Sequence, residues 1–550
     1  MIRHALVAAL LAPAPALACG GFFCETQPIL QASERIVFAV GDDAIEAHVQ
    51  IAYEGNARQF AWVVPAPEMP ELFTSTDELF SRLDGATEPR FELEIAEEGN
   101  CLWPDSEPSV NDTDDAADIA AWDTGEIAVE GVTVVAREDV GPYDSSILQA
   151  TDEDALLMWL NLNGYRLPGS YAEAMAPYLS DGFFVALRLR NDKDVGDLTP
   201  LGMRYAAPKA GIPMVLTSIA AVPDMRVDSY ILGPSGAVPE NYLHVQINEA
   251  AISWPDGGSN YEAVITEAAN EAGGQAFATD FAGPTSSLPS DLFATTAFDL
   301  ALLRDTLDPA AYADAMFRMG FPANTAVLEL LADHIPMPQS VIDRGVDAET
   351  FYACVGCYAD ELTDQAFDPL LLTDALELLV VAPLSHADAL LDAHPWITRL
   401  RSSFSPEEMT LDPSFVFNDG MGPVDNVHRA RLVYECGDGL EHADATRRVE
   451  VADHTVRWPA ENDLRVQGID GTTWLEGLEL SASSVIETTS ADAPPVVVTD
   501  NRGAIDDRLL QANEGVPSTG TPTGCGCNGN GGLASVLWFA PLVLVRRRRR

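Results

Sequence analysis

From Glu34 the chain alternates: Ile36, Phe38 and Val40 point one way, Gly41, Asp42 and Asp43 turn the chain, and Ile45, Ala47, Val49, Ile51 and Tyr53 resume the pattern. A period of two with a short polar turn predicts a half-buried antiparallel hairpin. Glu46, His48 and Gln50 occupy the opposite, polar face, so His48 is expected to be exposed and uncoordinated. A third strand is predicted over 59–64, running into Pro65-Ala66-Pro67. Helix starts are read from capping boxes: Ser75 with Glu78, Thr151 with Asp154 ahead of Gly164, and Ser259 with Glu262 ahead of Gly273-Gly274. Residues 183–190 form a further strand, with Val185, Leu187 and Leu189 inward.

Over 289–401 the spacing turns helical, through Leu300, Leu302, Leu303 and Leu307, then Val327, Leu328, Leu330 and Leu331, then 370–381, with prolines as breaks. Short strands return at 429–434, 447–451 and 496–498. The fold class is therefore α+β: an N-terminal domain built on an antiparallel sheet or β-sandwich, a helical middle segment and a β-rich C-terminal segment. The expected divisions are 1–18, 19–283, 284–411, 412–500, a flexible linker over 501–523 and a tail over 524–550.

The two ends change the picture. MIRHALVAALLAPAPALA places Arg3 and His4 before an apolar run and finishes on an A-x-A pattern at Ala18, as in a secretory signal; Cys19 immediately after it keeps a lipoprotein signal as the rival. At the other end, 533–545 is apolar apart from Ser535 and would extend about 20 Å as a helix, short of a comfortable membrane span. Arg546, Arg547, Arg548, Arg549 and Arg550 follow and cannot cross a bilayer cheaply, so they act as a topological stop with the body outside.

Of 31 basic residues, six (Arg3 and the terminal five) belong to these ends, whereas all 85 acids lie between them, leaving a body of net charge −60. That field repels phosphate backbones and argues against nucleic-acid partners, while divalent cations would screen it. Eight cysteines are present. In an exported chain Cys19, Cys24, Cys101, Cys354, Cys357 and Cys436 read as three disulfides, with Cys19–Cys24 and Cys354–Cys357 favoured by short spacing and Cys101–Cys436 left to tie the ends of the body together.

Cys525-Gly526-Cys527, the short apolar segment and the arginine cluster together resemble the MYXO-CTERM sorting tails of exported myxobacterial proteins. The resemblance implies processing near Cys525 or Cys527 by an intramembrane protease and display at the surface of a Gram-negative cell. In the body, CGGFFC from Cys19, SERIVFAV from Ser33, FAWVVPAP from Phe60, LNLNGYRLP from Leu160, LRLRNDKDVGDLTPL from Leu187, PENYLHVQINEAAISW from Pro239 and GGSNYEAVITEAANEAGGQAFATDFAG from Gly257 resemble bacterial domain-of-unknown-function family 2330. ITRLRSSFSPEEMTLDP from Ile397 extends the likeness. The resemblance implies export and a shared fold, without an activity.

Candidate chemistry is sparse. There is no G-x-S-x-G, H-E-x-x-H or P-loop, and no catalytic, cofactor or metal-ligating residue is assigned. Cys354-Val355-Gly356-Cys357 reads as a local disulfide rather than a redox or zinc pair. The stretch Asn191 to Asp197 departs from a calcium loop and reads as a polar turn; residues 111–115 read as an acidic surface loop. His386 and His394 flank Asp388 and Asp392 too far apart to share one ion. The expectation is an exported, surface-anchored acidic protein that binds or builds, with membrane contact through its tail and an unidentified protein partner. The alternative is a secreted or periplasmic hydrolase using paired carboxylates.

Overall fold

The computed structural model describes residues 30–54, 61–102, 132–150, 152–163, 165, 171–179, 182–189, 199–363, 365–458, 460, 480–487 and 494–514. Ala18, Cys19, Cys24, the loop 111–115, the stretch 191–197, Cys525, Cys527 and Arg546 to Arg550 lie outside them.

Helices fill the middle of the chain and strands dominate both sides of it, the α+β class expected. The hairpin forms as the alternation predicts: strand Leu30–Val40 pairs antiparallel with strand Ile45–Glu54, Ile36 opposite Val49 and Phe38 opposite Ala47. The hairpin sits inside a ten-stranded sheet. Its order is Val496–Asp500, Ala482–Glu487, Leu243–Ile247, Ala276–Pro284, Trp396–Phe404, Ala221–Gly233, Leu30–Val40, Ile45–Glu54, Leu201–Tyr205 and Glu71–Thr74. The sheet is mixed rather than purely antiparallel, because Leu30–Val40 with Ala221–Gly233, and Leu243–Ile247 with Ala276–Pro284, run parallel.

Both faces of this sheet are covered around the hairpin, whereas its edge strand Val496–Asp500 is exposed throughout. On one, Ile36, Phe38, Ala47 and Val49 pack against Val64, Ile147, Val185 and Leu187 of a four-stranded sheet, ordered Ala61–Ala66, Phe183–Leu189, Tyr143–Ala150 and Val132–Val140. The strand expected at 59–64 therefore joins this second layer, not the hairpin. Its outer side, through Phe184 and Ala186, meets Leu156, Trp159 and Leu160 of helix Glu153–Leu162. On the other face of the large sheet, Val37, Ala39, Tyr230 and Leu232 meet the helical segment. The hairpin is thus buried on both sides, a three-layer arrangement that its alternation alone did not disclose.

Each capping box is displaced by one residue. Thr76, not Ser75, caps helix Asp77–Thr87, accepting from the Glu78 N–H; Asp152 caps Glu153–Leu162; Asn260 precedes helix Tyr261–Glu271. The hydroxyl of Ser75 is engaged instead by His48. Pro383 does not break its helix: Pro369–Leu376, a π turn at Glu377–Val381 and Ala382–Ala393 run on continuously. The wider turn precedes the proline, which has no N–H to donate, at the place where an α-helical bond would be lost. These 25 residues are long and apolar enough to cross a membrane by length and composition. Here Leu372, Leu376, Val380, Leu384, Ala387 and Leu390 pack into the helical core.

Two divisions are corrected. Residues 396–401, expected as helix within 284–411, belong to strand Trp396–Phe404 at the centre of the large sheet. Its polar Arg399, Arg401, Ser402 and Ser403 mask the strand signal, yet all four are buried. The linker expected from 501 begins with helix Arg502–Glu514, anchored by Ile505 and Leu509, four apart and so on one face.

Strands His454–Trp458, Thr446–Val451, Val427–Glu441 and Arg90–Leu102 form a further sheet. Within it Cys101 is disulfide-bonded to Cys436, with Cα atoms 5.2 Å apart and a sequence separation of 335. Cys354 is bonded to Cys357 around a tight turn, with Cα atoms 5.4 Å apart.

Candidate functional site: a cleft with a histidine–carboxylate cluster

Between the edge of the large sheet and the helical layer lies a cleft of about 830 Å³. Its apolar wall includes Phe73, Leu79, Leu330, Leu378, Leu379 and Pro383, and Glu46, His48, Glu71, Ser75, Arg204, Asp333 and His386 supply polar groups.

Glu46 and His48 stand two apart on strand Ile45–Glu54, so their side chains leave the same face. That is the face read as solvent-exposed from the pattern. The helical layer covers it, and His48 is only 2% exposed. The histidine satisfies both ring nitrogens: Nδ1 lies 2.7 Å from Ser75 Oγ and Nε2 lies 3.0 Å from Glu46 Oε1. Because an ionised carboxylate only accepts, Nε2–H donates to Glu46, leaving Nδ1 of the neutral ring to accept from the Ser75 hydroxyl. His386, half-exposed on helix Ala382–Ala393, brings its Nε2 into a short contact with the same Glu46 oxygen. Phe73 packs edge-on against both rings, with centroids 5.5 Å from His48 and 6.1 Å from His386.

Electrostatics follow from this convergence. Burial by itself would raise the Glu46 carboxyl, but hydrogen bonds from His386 and His48 pull it down to about 2. Burial pushes His48 below the usual histidine range against the pull of Glu46. The Glu46 hydrogen bond raises His386. Glu46 is therefore an ionised acceptor at neutral pH. A carboxylic general acid needs the opposite shift, so Glu46 does not supply the raised member of a paired-carboxylate hydrolase.

The chain from Ser75 through His48 to Glu46 has the connectivity of nucleophile, base and orienting carboxylate. The backbone N–H of Ser75 is already bound to the Pro200 carbonyl, 2.8 Å away, and so is not free to serve an oxyanion. What distinguishes this cluster is the arrival of a second imidazole at Glu46, from the opposing layer.

A second charged cluster lies inside the sheet. Arg399 and Arg401 project from strand Trp396–Phe404 toward Asp228, opposite Arg401 on the neighbouring strand, and toward Asp280, which occupies a bulge between Thr279 and Phe281. Arg401 Nε is 2.9 Å from both Asp228 and Asp280 oxygens, Arg399 Nη2 is 3.0 Å from Asp84, and Tyr261 donates to Asp280 at 2.8 Å. Burial raises Asp280 in spite of the arginines; at Asp228 burial is overcome by Arg401, Arg399 and Arg226, and the carboxyl is lowered. Arg399 and Asp280 have no exposed surface. A ligand cannot reach them, and the cluster joins strands Ala221–Gly233, Ala276–Pro284 and Trp396–Phe404 through buried ion pairs.

None of Glu46, His48, Ser75 and His386 is assigned a chemical role by sequence motif, Ser75 being read only as a helix cap. Glu46 and His48 were visible only as alternating polar positions, and His386, 338 residues further on than His48, carries no local signal. Cys354, Cys357, Cys101 and Cys436 lie apart from the residues lining this cleft.

Among curated proteins and solved structures, none matches the chain. A bacterial family described as "Uncharacterized protein conserved in bacteria (DUF2330)" matches residues 13–292, just over half of the 550 residues. The matched region holds Glu46, His48, Phe73 and Ser75, whereas His386 and the central strand Trp396–Phe404 come from beyond it. Since the match runs through the hairpin, the second sheet and the strand Ala276–Pro284, the chain belongs to the DUF2330 family of conserved, uncharacterised bacterial proteins.

Proposed function

We propose that this protein is exported, displayed at the outer surface of a Gram-negative envelope, and binds a partly apolar ligand in the cleft between sheet and helical layer. The observation that carries the binding reading is the cleft. Its volume is that of a small-molecule site, and an apolar wall with a few converging polar groups is the usual construction of such sites. Export is supported by the signal-like residues 1–18 and by bonded cysteines, which suit an oxidising compartment. Display is supported by the order of Cys525, Cys527, apolar segment and Arg546 to Arg550.

Mass spectrometry of the full-length gene product recovered from the cell envelope tests both halves. Denatured, the mature chain should begin near Cys19 and end near Cys525; a chain that retains Met1 and the five terminal arginines sinks the display reading. Under native conditions the wild-type protein should carry an additional small-molecule mass that Ala382→Trp, which fills the cleft, removes. Each protein appearing only at the bare mass of its own chain would sink the binding reading.

A further inference from the structure

We propose that Glu46, His48 and His386 form a binding site for one divalent first-row transition-metal ion, with Zn²⁺ the best chemical match. Each of the three residues offers one ligand atom, all within 4.8 Å of one another, and both imidazole Nε2 atoms already contact Glu46 Oε1. A tetrahedral ion with bonds of about 2.0–2.1 Å holds its ligands roughly 3.3 Å apart. The group therefore needs no rearrangement of the backbone to close on an ion. Glu46 and His48 are fixed by their strand, and His386 approaches from the helical layer across the cleft, so the site would also fasten the two layers together.

The surroundings match those of a metal-bound imidazole. A ligating histidine almost always has its second nitrogen engaged, which sets the tautomer and the direction of the ligating nitrogen. At His48 the second nitrogen is Nδ1, held by Ser75 Oγ, while Phe73 packs against the ring edge-on and Nε2 points at Glu46. Binding an ion at Nε2 moves the ring proton from Nε2 to Nδ1, which then donates to Ser75 Oγ, because a hydroxyl accepts as well as donates. The donor set decides the metal class. Two imidazoles and one carboxylate, without thiolate, suit zinc and its divalent neighbours, whereas Mg²⁺ and Ca²⁺ favour oxygen-only shells. Three protein ligands also leave a fourth position, and all three residues line the cleft, so that position opens toward a bound small molecule. The ion would hold an oxygen- or nitrogen-bearing group of the cleft ligand while the apolar wall holds the remainder. Metal binding itself does not depend on that ligand existing.

The test is a titration of the chelator-stripped full chain with Zn²⁺ in excess Mg²⁺, which keeps the acidic surface occupied, followed by Co²⁺ substitution read in the visible spectrum. One equivalent should bind, with the intense visible absorption of a four-coordinate cobalt site. His386→Ala and Glu46→Gln should each weaken binding by at least about 100-fold, more than loss of an outer partner does. Circular dichroism should be unchanged for His386→Ala, whose side chain is half-exposed. Absence of saturable Zn²⁺ binding, or affinity unchanged in both variants, would overturn the site. The native-mass comparison above can fail without affecting this result, and the reverse.

Discussion

Glu34 sits on the interior strand Leu30–Val40 of the large sheet, 3% exposed, with Gln31 Nε2 3.0 Å from its carboxylate. Burial, only partly offset by that hydrogen bond, pushes its pKa up from 4.5 to about 7. A carboxyl raised in the fold stabilises the protein fully below the unfolded value and loses that contribution as pH rises through the folded one. Between pH 4.5 and 7 the folded state holds a proton that the unfolded state has released, and above 7 a penalty of about 3 kcal/mol remains. Glu34→Gln should therefore gain up to about 3 kcal/mol over wild type at pH 8, and much less at pH 4. Urea unfolding at both values checks this, and an equal shift at both would refute it. The difference between proteins must be measured, because His244, lowered by burial to about 4, contributes a slope of opposite sign as pH falls from 6.5. Nothing in the local pattern marks Glu34 as buried: it lies among alternating residues, and the layer that covers it comes from other parts of the chain.

Strand Leu201–Tyr205 carries a glycine whose role emerges only from its neighbours. Gly202 pairs with His48 on one side and Phe73 on the other, and a Cβ there would meet the Phe73 ring at 2.1 Å. The missing side chain lets that ring lie over the strand and brace both histidines. Gly202→Ala should cost about 1–3 kcal/mol through overpacking and shift the imidazole resonances of His48 and His386; thermal melting and NMR would show it. A variant with unaltered histidine resonances would remove Phe73 from the site's support. The shifted helix caps belong to the same class of effect. Ser75 satisfies a capping pattern in sequence, but His48 claims its hydroxyl and Thr76 takes over the cap. The helix Arg502–Glu514 escaped notice because two apolar contacts, Ile505 and Leu509, suffice to dock it.

Across the molecule, the parallel pair Arg90–Leu102 and Val427–Glu441 joins residues far apart in sequence, and the Cys101–Cys436 bond lies within it. Closing so long a loop restrains the unfolded chain strongly. Cys436→Ser should lower stability by about 2–5 kcal/mol, and reductant should reproduce that loss in the wild-type protein, whereas the variant should lose only the smaller contribution of the short Cys354–Cys357 loop. Equal melting temperatures with and without reductant would show that the bond does not hold the sheet. The acidic body, −60 between the two ends, is a property of the same scale. It makes excess Mg²⁺ necessary in any measurement of specific metal binding.

Element type was legible wherever local periodicity and local energetics agree: the hairpin at Leu30–Val40 and Ile45–Glu54, the strand Phe183–Leu189, and the helical middle. The α+β class followed from the order of those segments. The residues themselves carried no information about what covers a second face. For that reason His48 read as exposed, and 396–401, rich in arginine and serine, read as part of a helical region. Burial of a charged strand is favourable only when Asp228 and Asp280 arrive from other strands, and a cluster of Glu46, His48 and His386 exists only once a helix from the far half of the chain packs over the hairpin. Contacts of that kind depend on which surfaces meet, and no period within one segment encodes its partner.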